Sequence, residues 1–564
     1  MTKTPEIAFA FFGDTVARRS IRDAEVDTFI FQPELSEETQ ALIDTAIANA
    51  ISESDLSYFN YIDSIIFEAS EDDTIDIATA LEEKQQEVIE LLTAIDDATA
   101  TTTIAVATAI PTPILQSGEI ALTFGAEQSF GPLADTELWN AAIDEFVAQD
   151  SQVGQIIFRS EFLSLNERIE TQDCFYLGSN IVPGADLTQL LSVDPFLSTD
   201  PNINPANFIP NTLDQLSREG ATWGIPLSLI PNAIWYDRAL FEEAGLPEPS
   251  PDWTMSEFID TLNALTTVTD GAPFRSQSFG GQYIYQLVAA YGGQPIDYST
   301  TPYTFQLEDP VTIEAIRQVL DLAKDELIDY SALATTSFGG GGGASPAVFD
   351  SFLSNNDFRL QNREGGFNDQ RVTMFPRGVD TIPVAYQLGS GYISANSPAP
   401  DACYRWLSFL STRTELLTGM PAQSDLFSVA TENITEGEDV AAFYQAFNEA
   451  LSSPNVVVLP IGVGGSEDPA VSATNFITQN WINGAFDAYV LEDADLQTAL
   501  SQAQAFRDDY AVCAESIAEP SMPLEEMSND EAQTYFQQFF QCAVDVDPSA
   551  AELYSFILDS DDDE

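Results

Sequence analysis

The side chains that could do chemistry in this sequence are carboxylates and thiols, because its 564 residues include no histidine. Without imidazole, the chain cannot build a Ser-His-Asp or Cys-His nucleophile pair, a His-ligated zinc site or an imidazole proton shuttle. A mechanism with two carboxylates, as in glycoside hydrolases, stays open. With 90 Asp and Glu residues some acidic pair will always look suggestive, so composition alone says little for an enzyme.

The four thiols belong to Cys174, Cys403, Cys513 and Cys542, and none has CxxC spacing. That spacing argues against a zinc knuckle and against a thioredoxin-type redox pair. Two disulfides could form in an oxidising compartment, with three connectivities open. Four buried free thiols fit the composition equally well.

The charge of the chain is strongly negative, with 19 Lys and Arg against 90 Asp and Glu and a net charge of −71. So little cationic surface remains that no nucleic-acid partner is expected. Acid-rich surfaces repel themselves most at low ionic strength, which fits a saline or secreted setting. Hydrophobic residues make up 44% of the chain, which is ample for packed cores.

Neither a membrane span nor a signal peptide is evident in the sequence. No run of about 18 apolar residues occurs. The first residues, MTKTPEIAFAFFGD, contain only a short apolar stretch that ends in an acid. We therefore expect either a cytosolic protein or a mature, truncated or internal piece of a larger one.

A charge-free stretch rich in Thr, Ala and Pro separates two parts of the chain. Residues 98–117 read ATATTTIAVATAIPTPILQS, which predicts an extended linker. A strand pattern at 119–125 and a helical pattern from Asp135 then begin an α/β alternation that continues to about residue 510. Residues 514–564 are expected to form a helical appendix with an acidic tail.

The part before the linker repeats pieces of the part after it. EIAFAFFGD at 6–14 parallels EIALTFGAE at 119–127, and FNYI at 59–62 parallels QNWI at 479–482. Both matches occur in the same order. We interpret residues 1–97 as a partial duplicate that retains a first strand and helix and the C-terminal helices.

The most specific stretch is residues 222–258, TWGIPLSLIPNAIWYDRALFEEAGLPEPSPDWTMSEF. It predicts a strand over Gly224–Leu229, a second apolar run ending at Tyr236, a helix stopped by Gly245, and a further helix capped by Thr254. This block resembles the signature of ABC-transporter extracellular solute-binding proteins of family 1, the sugar-binding, maltose-binding-protein-like family.

Four further segments resemble the same family in the same order, so that the resemblance covers about residues 117–510. They lie around residues 173–197, 289–293, 393–410 and 419–422, and a last similarity lies at 496–504. The resemblance implies an α/β periplasmic-binding-protein fold of type II, with two lobes joined by crossovers near Pro226, 374–383 and 419–421. The implied domain spans 118–513, with a first lobe of about 118–225 and 376–418 and a second of about 226–375 and 419–510.

The resemblance also implies which residues contact a solute in the cleft between the lobes. A sugar site needs flat aromatic rings, amide or carboxylate partners and exclusion of water, whereas any single aromatic residue could equally be part of a core. The expected ligand contacts are Glu127, Gln128, Tyr176, Ser179, Asn180, Asn232, Gln282, Tyr283, Asn475, Gln479 and Trp481. Because Cys174 and Cys403 fall in one lobe, we expect the disulfides Cys174–Cys403 and Cys513–Cys542, the second pinning the appendix.

The function implied by the resemblance is capture of a small solute, with carbohydrate as the expected class, for an ABC importer. Such a receptor is not an enzyme, needs no cofactor or metal, and closes its lobes around the ligand before docking on permease subunits. It works outside the cytoplasm, in the periplasm or at the cell surface, held by a partner or an N-terminal anchor, and we expect a monomer. Two alternatives stay open, a carboxylate-dependent glycoside hydrolase and a ligand-sensing or adhesive surface protein without a transporter.

Overall fold

The protein is described here by a computed structural model, in which the chain divides into two units, Met1–Thr112 and Pro113–Asp562. Every described residue lies in the second unit. The interpreted partial duplicate at 1–97 and the predicted linker at 98–117 lie outside the described residues. These residues are 119–126, 136–159, 163, 165–200, 203–276, 281–297, 300, 303–334, 347–353, 370–417, 419–432, 437–460, 469–518 and 529–558.

The strands form one large mixed sheet and two small two-stranded pairs. They are β1 Ile120–Ala126, β2 Val153–Arg159, β3 Cys174–Leu177, β4 Ser217–Arg218, β5 Ala221–Thr222, β6 Ile225–Asp237, β7 Phe274–Ser276, β8 Ile296–Asp297, β9 Thr304–Phe305, β10 Ile328–Asp329, β11 Val348–Phe352, β12 Gln370–Thr373, β13 Ile382–Ile393, β14 Met420–Pro421 and β15 Val456–Pro460.

Helices alternate with these strands along the chain, which confirms the expected α/β class. They are α1 Thr136–Gln149, α2 Leu165–Thr171, α3 Asp194–Leu197, α4 Thr212–Gln215, α5 Arg238–Glu243, α6 Met255–Leu265, α7 Gln282–Ala290, α8 Pro310–Lys324, α9 Pro400–Leu410, α10 Phe427–Thr431, α11 Gly437–Leu451, α12 Pro469–Leu491, α13 Leu496–Ala514, α14 Asn529–Val546 and α15 Ala551–Leu558. Short 3₁₀ turns occupy Leu187–Gln189, Pro205–Asn207, Ser424–Leu426 and Pro548–Ala550.

The large sheet runs in the order β10-β7-β11-β6-β13-β3-β1-β2, with β12 and β14 also on β6 and β15 also on β13. At one end β1 pairs in parallel with β2 and β3, and at the other end β7 pairs in parallel with β10 and β11. The two parallel parts are joined by β6 and β13, which are the longest strands and pair with each other antiparallel. We call β6 and β13 the hinge strands.

Two hydrophobic cores lie along the hinge strands, one for each lobe. Leu229, Ala233 and Trp235 of β6 belong to the first core, whereas Ile234 and Tyr236 of the same strand belong to the second. Where the sequence predicted a strand ending at Leu229 and a separate apolar run, one continuous strand therefore crosses from lobe to lobe. Apolar side chains alone could not show that crossing, because both halves of the strand are buried.

The boundary between the lobes near the C-terminus differs from the expected one. Residues 419–510 were expected in the second lobe, yet α10 and α11 contribute to the first core through Phe427, Phe443 and Phe447. The physical reason is the apolar face of α11, which packs on the hinge strands. The second core resumes with α12, which contributes Ile477.

Local sequence signals set the helix ends around the hinge strands as predicted. The Thr254 hydroxyl and the Glu257 carboxylate form a reciprocal capping box at the start of α6. Asp237 caps α5, and Gly245 follows that helix with a φ of 69°, a left-handed conformation that glycine adopts without strain. The predicted helix boundaries there are correct to within a residue or two.

The C-terminal appendix packs on the second lobe. A disulfide joins Cys513 at the end of α13 to Cys542 in α14, which confirms this predicted pairing. The other expected disulfide, Cys174–Cys403, is not formed: both cysteines are free thiols buried in the first core. The Trp481 indole of α12 donates to the Asp547 carboxylate over 3.1 Å, and the Asn480 amide donates to the Tyr554 hydroxyl over 3.2 Å. The appendix is thus part of the second core rather than a detached tail.

Candidate functional site

The centre of the hinge strands carries one partly exposed residue on each strand, and the two face each other. Ile230 and Gln387 are half-buried, while the other interior positions of both strands, which the structure describes in full, are buried. Ile230 is paired with Gln387 in the antiparallel register. This pair therefore marks the place inside the two hinge strands where side chains are not fully buried.

The carboxyl ends of several strands converge on that pair. On one edge of β13, β3 ends at Leu177 beside Ser390 and β15 ends at Pro460 beside Tyr386. On the opposite side, β11 ends at Phe352 beside Asn232 of β6. In α/β sheets, ligands bind in the crevice outside the carboxyl ends of strands, so this geometry indicates a binding cleft.

Among the described residues, helix α11 covers one face of the hinge strands at this point. Neighbouring residues of a strand point to opposite faces, and the Tyr386 ring, next to Gln387, packs edge-on against Phe447 of α11 with ring centres 5.9 Å apart. Helix α11 therefore covers the Tyr386 face. Ile230 and Gln387 lie on the other face, and with Ser228, Asn232 and Gly389 on that same face they form what we call the cleft floor.

On the first-lobe side of the cleft floor, two hydroxyl groups meet across a strand. The Tyr176 hydroxyl on β3 is hydrogen-bonded to the Ser228 hydroxyl on β6 over 2.8 Å, and both residues are fully buried. Between them lies Gly389 of β13, where a Cβ atom would approach the Ser228 oxygen to 2.4 Å and the Tyr176 oxygen to 2.5 Å. Glycine is required there because the hydrogen bond passes over its Cα.

On the second-lobe side, a carboxylate and an amide occupy the corresponding position. Asn232 donates its amide hydrogen to the Asp350 carboxylate over 3.2 Å, and both side chains are buried. The Tyr283 hydroxyl is also buried, and this burial raises its pKa, with a further contribution from the negative charge of Asp350. In the part of the site that the structure describes, neutral hydroxyl and amide groups therefore lie around the buried Asp350 carboxylate.

The turn after β3 bears two more of the expected ligand contacts. Ser179 is exposed and Asn180 is half-buried. The Asn180 amide donates to the Gln215 carbonyl oxygen over 2.9 Å, and the Gln215 amide in turn donates to the Tyr386 hydroxyl. This bonding fixes the turn against the hinge, while Ser179 remains accessible.

The expected contacts of α7 and α12 lie mainly inside the second lobe. Gln282 and Tyr283 are buried in the first turn of α7, where Tyr283 packs against Phe274 with ring centres 5.3 Å apart. Asn475 accepts a hydrogen bond from the Tyr303 backbone N–H over 3.3 Å.

Two residues of α12 are held by groups of the same lobe. Gln479 donates to the Tyr285 hydroxyl and to Asn483, and Trp481 is 7% exposed and bonded to Asp547. The structure thus brings Tyr176 and Asn232 to the cleft floor but engages Gln479 and Trp481 within the second core. Glu127 and Gln128 lie outside the described residues.

Sequence reasoning missed the residues at the centre of the floor. Gln387, Ile230 and Ser228 lie on apolar strands without a motif, and only the strand pairing shows that they face the cleft. A glutamine within an otherwise apolar run, VAYQLGSGYI, was the available signal, since a buried-strand pattern rarely includes an amide.

The described residues offer no group of three or more His, Cys, Asp or Glu side chains that could hold a metal ion. A separate cavity of about 550 Å³ lies where the start of α6, the end of α7 and residues 377–381 meet. Its lining residue Thr381 lies immediately before β13 and precedes Gln387 by six positions, or roughly 20 Å along an extended chain. That cavity is distinct from the cleft floor. None of the described helices is long and apolar enough to cross a bilayer.

Comparison with known proteins agrees with this geometry. Residues 183–414, which include both hinge strands, match the family described as bacterial extracellular solute-binding protein. No curated protein matches the chain. Similar solved structures include an extracellular solute-binding protein of family 1 from Alicyclobacillus acidocaldarius, which is 16% identical with a TM-score of 0.53 and covers 70% of this chain and 99% of its own.

Two further solved structures have the same fold. One is an ABC substrate-binding protein from Listeria monocytogenes in complex with cycloalternan, 15% identical with a TM-score of 0.50, covering 70% of this chain and 99% of its own. The other is a cyclic α-maltosyl-1,6-maltose binding protein from Arthrobacter globiformis, 14% identical with a TM-score of 0.51, covering 69% of this chain and 97% of its own. At these identities the likeness concerns the fold, and it confirms the two-lobed architecture.

Proposed function

We propose that this chain is the substrate-binding component of an ABC importer and that it captures a carbohydrate, since residues 183–414 match the family described as bacterial extracellular solute-binding protein. The observation that carries the proposal is the cleft floor, at which strand ends from both lobes meet. A ligand that contacts both lobes favours the closed arrangement over the open one, which is how such a receptor captures its solute.

The chemistry of the floor supports a hydroxyl-rich, uncharged ligand. The partly exposed Gln387 amide is a neutral hydrogen-bonding group, and Ile230 offers an apolar contact for a ring face. The Tyr176 and Ser228 hydroxyls and the Asn232 amide, which are buried behind them, are also uncharged. Polar groups placed in a mostly apolar cleft are typical of small-molecule sites. Of the solved structures with the same fold, one is described as a complex with cycloalternan and another as a cyclic α-maltosyl-1,6-maltose binding protein, which adds support for this class.

The proposal includes a location and a partner. The chain acts outside the cytoplasm, where the Cys513–Cys542 disulfide is stable, and delivers its solute to permease subunits of the importer. It acts as a monomer, since one chain supplies both lobes of the cleft.

The test is a ligand screen on the full chain. Maltose, trehalose, maltooligosaccharides and cyclic glucans are compared with polyols and dipeptides by thermal shift, and hits are measured by calorimetry. We expect a sugar to raise the melting temperature and to reduce the radius of gyration in small-angle scattering. Stabilisation by dipeptides alone would contradict the carbohydrate class.

Whether the bound sugar stays intact distinguishes a receptor from a glycoside hydrolase. The protein is incubated with each binding oligosaccharide for many hours, and the mixture is analysed by chromatography. A receptor returns the sugar intact, whereas release of shorter products would show the carboxylate-dependent hydrolase instead.

A further inference from the structure

One arginine of the first lobe holds the turn that follows β3. We call residues 179–185 the binding turn, because this segment continues from the carboxyl end of β3 beside the cleft floor and carries Ser179 and Asn180. The half-buried Arg218 guanidinium donates to three main-chain carbonyl oxygens of the turn. They belong to Val182, Pro183 and Ala185, at N–O distances of 2.6, 3.0 and 2.7 Å.

The binding turn has no helix or strand pairing of its own to fix it. Its sequence, SNIVPGA, contains a proline and a glycine, which favour turns. Val182 and Ala185 are only 1% and 3% exposed, and the carbonyl groups of buried residues need hydrogen-bond partners. The three carbonyls are bonded from two different nitrogens of Arg218, Nη1 and Nη2, so the single nitrogen of a lysine could not replace this arrangement.

Arg218 is placed by a tight hairpin. It pairs with Ala221 across β4 and β5, and the two residues between them, Glu219 and Gly220, have φ angles of 56° and 79°. A two-residue loop with two positive φ angles is what a type I′ hairpin turn requires. The Trp223 indole donates to the Arg218 carbonyl oxygen over 2.8 Å, and the hairpin leads directly into β6. The arginine is therefore attached to well-defined backbone just before a hinge strand.

An ion pair does not account for Arg218 as well as its carbonyl bonds do. Asp186, next to the binding turn, accepts hydrogen bonds from the Thr188 backbone N–H over 2.9 Å and from the Thr188 hydroxyl over 2.7 Å. These bonds are the main reason why the pKa of Asp186 is lowered, and the charge of Arg218 adds the smallest contribution. Arg405 and Arg413, by contrast, bond directly to carboxylates.

We propose that Arg218 is a positioning residue, which holds the binding turn in one conformation so that Ser179 and Asn180 are ordered before the solute arrives. The part that the turn plays in binding rests on the proposed function, whereas the ordering of the turn by Arg218 does not. A turn that is ordered in advance avoids the conformational entropy that binding would otherwise lose. Arg218 thus strengthens binding without touching the sugar.

The first test is hydrogen exchange of the full chain, followed by mass spectrometry. The reporters are four amides of the binding turn that are hydrogen-bonded within the first lobe, those of Ile181, Val182, Gly184 and Ala185. In Arg218→Ala we expect them to exchange about 10-fold faster, with exchange in β1 and β2 unchanged. Unchanged exchange in the turn, or equal acceleration in β1 and β2, would overturn the proposal.

Two further variants separate the carbonyl bonds from the charge. Arg317→Ala also removes one positive charge, but from an exposed pair with Glu314 on α8, so its binding turn should exchange as in the unmodified chain. Arg218→Lys keeps the charge and loses the two-nitrogen arrangement, so its turn should also exchange faster. This variant decides the question if Arg218→Ala does not fold. Full protection of the turn in Arg218→Lys would contradict the role of the carbonyl bonds.

The second test is the affinity for the sugar identified in the screen, measured by calorimetry. We expect Arg218→Ala to bind about 5- to 30-fold more weakly, with a less favourable binding entropy, and the bound sugar to slow exchange in the turn again. Weaker binding with an unchanged turn would mean that Arg218 contacts the sugar, and unchanged affinity with a loosened turn would mean that the turn does not serve binding. Either result contradicts the positioning role. If the unmodified chain binds no sugar, the proposed function fails, whereas exchange in the free protein still decides whether Arg218 orders the turn.

Discussion

The Tyr176 hydroxyl on β3 reaches across β13 to the Ser228 hydroxyl on β6, 2.8 Å away, directly over Gly389. Three strands are thereby linked by one side-chain contact at the first-lobe edge of the cleft floor. Tyr176 was expected to contact the ligand, but in the structure its hydroxyl holds the hinge strand, so its mutation would act on both the fold and the site.

We expect Gly389→Ala to destabilise the protein by about 1–3 kcal/mol, because the new methyl group overlaps both hydroxyl oxygens and forces them apart. Denaturant unfolding measures the change. Gly178→Ala is the matched control, since a Cβ atom at Gly178, just after β3, meets nothing within 4 Å. Equal stability of the two variants would show that the contact over Gly389 is not tight.

We expect Gln387→Ala to weaken sugar binding by about 2- to 10-fold with little change in stability, because a half-exposed amide loses one hydrogen bond to the ligand. Calorimetry with the sugar identified in the screen measures the affinity. The control is Gln318→Ala, a half-exposed glutamine on α8 that donates a hydrogen bond to Glu314 of the same helix. If both variants bind as the unmodified chain does, Gln387 does not contact the ligand.

The hinge strands show most clearly which features of the fold the sequence can predict and which it cannot. The turn chemistry of Asp237, Gly245 and Thr254 predicts the helix ends after β6, because caps depend on a few neighbouring residues. The role of Ile230 and Gln387 could not be predicted, because it depends on strand ends that come from residues 177, 352 and 460. Register between distant strands leaves no local trace in the sequence.

The expected ligand contacts on α12 show the same limit for side chains. Gln479 and Trp481 each combine an apolar body with a polar end group. Such residues on a helix can either contact a ligand or pack in a core in which the polar group has a hydrogen-bond partner. Their partners, Tyr285 and Asp547, come from α7 and from the turn after α14. Only the packing of the appendix on the second lobe settles which role Trp481 takes.

We expect Gln286→Leu to stabilise the protein by about 1 kcal/mol or more. The Gln286 amide of α7 is fully buried, and neither its nitrogen nor its oxygen has a hydrogen-bond partner among the described residues, so it carries a desolvation cost that leucine avoids at similar volume. The control is Gln423→Leu, which removes a buried amide bonded to Ser411 over 3.0 Å and should destabilise. A loss of stability in Gln286→Leu would show that the amide has a partner, such as an enclosed water.

We expect the stabilising effect of Asp150 to depend on pH. Burial would raise the pKa of this carboxyl, but the Arg405 guanidinium and the backbone N–H groups of Gln152 and Val153 outweigh burial and hold the pKa below its ordinary value of 3.8. A lowered pKa means that the contribution is complete above pH 3.8 and is lost as the pH falls through the lowered pKa.

Asp150→Asn should therefore cost about 1–2 kcal/mol at pH 7, and the difference from the unmodified chain should shrink below pH 3.8. Urea unfolding at several pH values measures it. Glu314→Gln removes an exposed ion pair with Arg317 and should change stability by less than about 0.5 kcal/mol. A pH-independent difference for Asp150→Asn would mean that the lost charge is not what stabilises this site.

We expect added salt to raise the melting temperature, because a net charge of −71 makes the folded chain repel itself. The Debye length falls from about 10 Å at 0.1 M to about 3 Å at 1 M salt, so most of this repulsion is screened within that range. Calorimetry in potassium chloride should show a rise of about 5 °C or more that levels off near 1 M. Sucrose leaves charges unscreened and acts by exclusion from the surface, so its effect should be smaller and should not level off. A melting temperature that stays constant or falls with potassium chloride would contradict this prediction. It would mean that salt weakens attractive ion pairs, such as Arg405 with Asp150 and Arg413 with Glu145, by more than it relieves the repulsion among the excess negative charges.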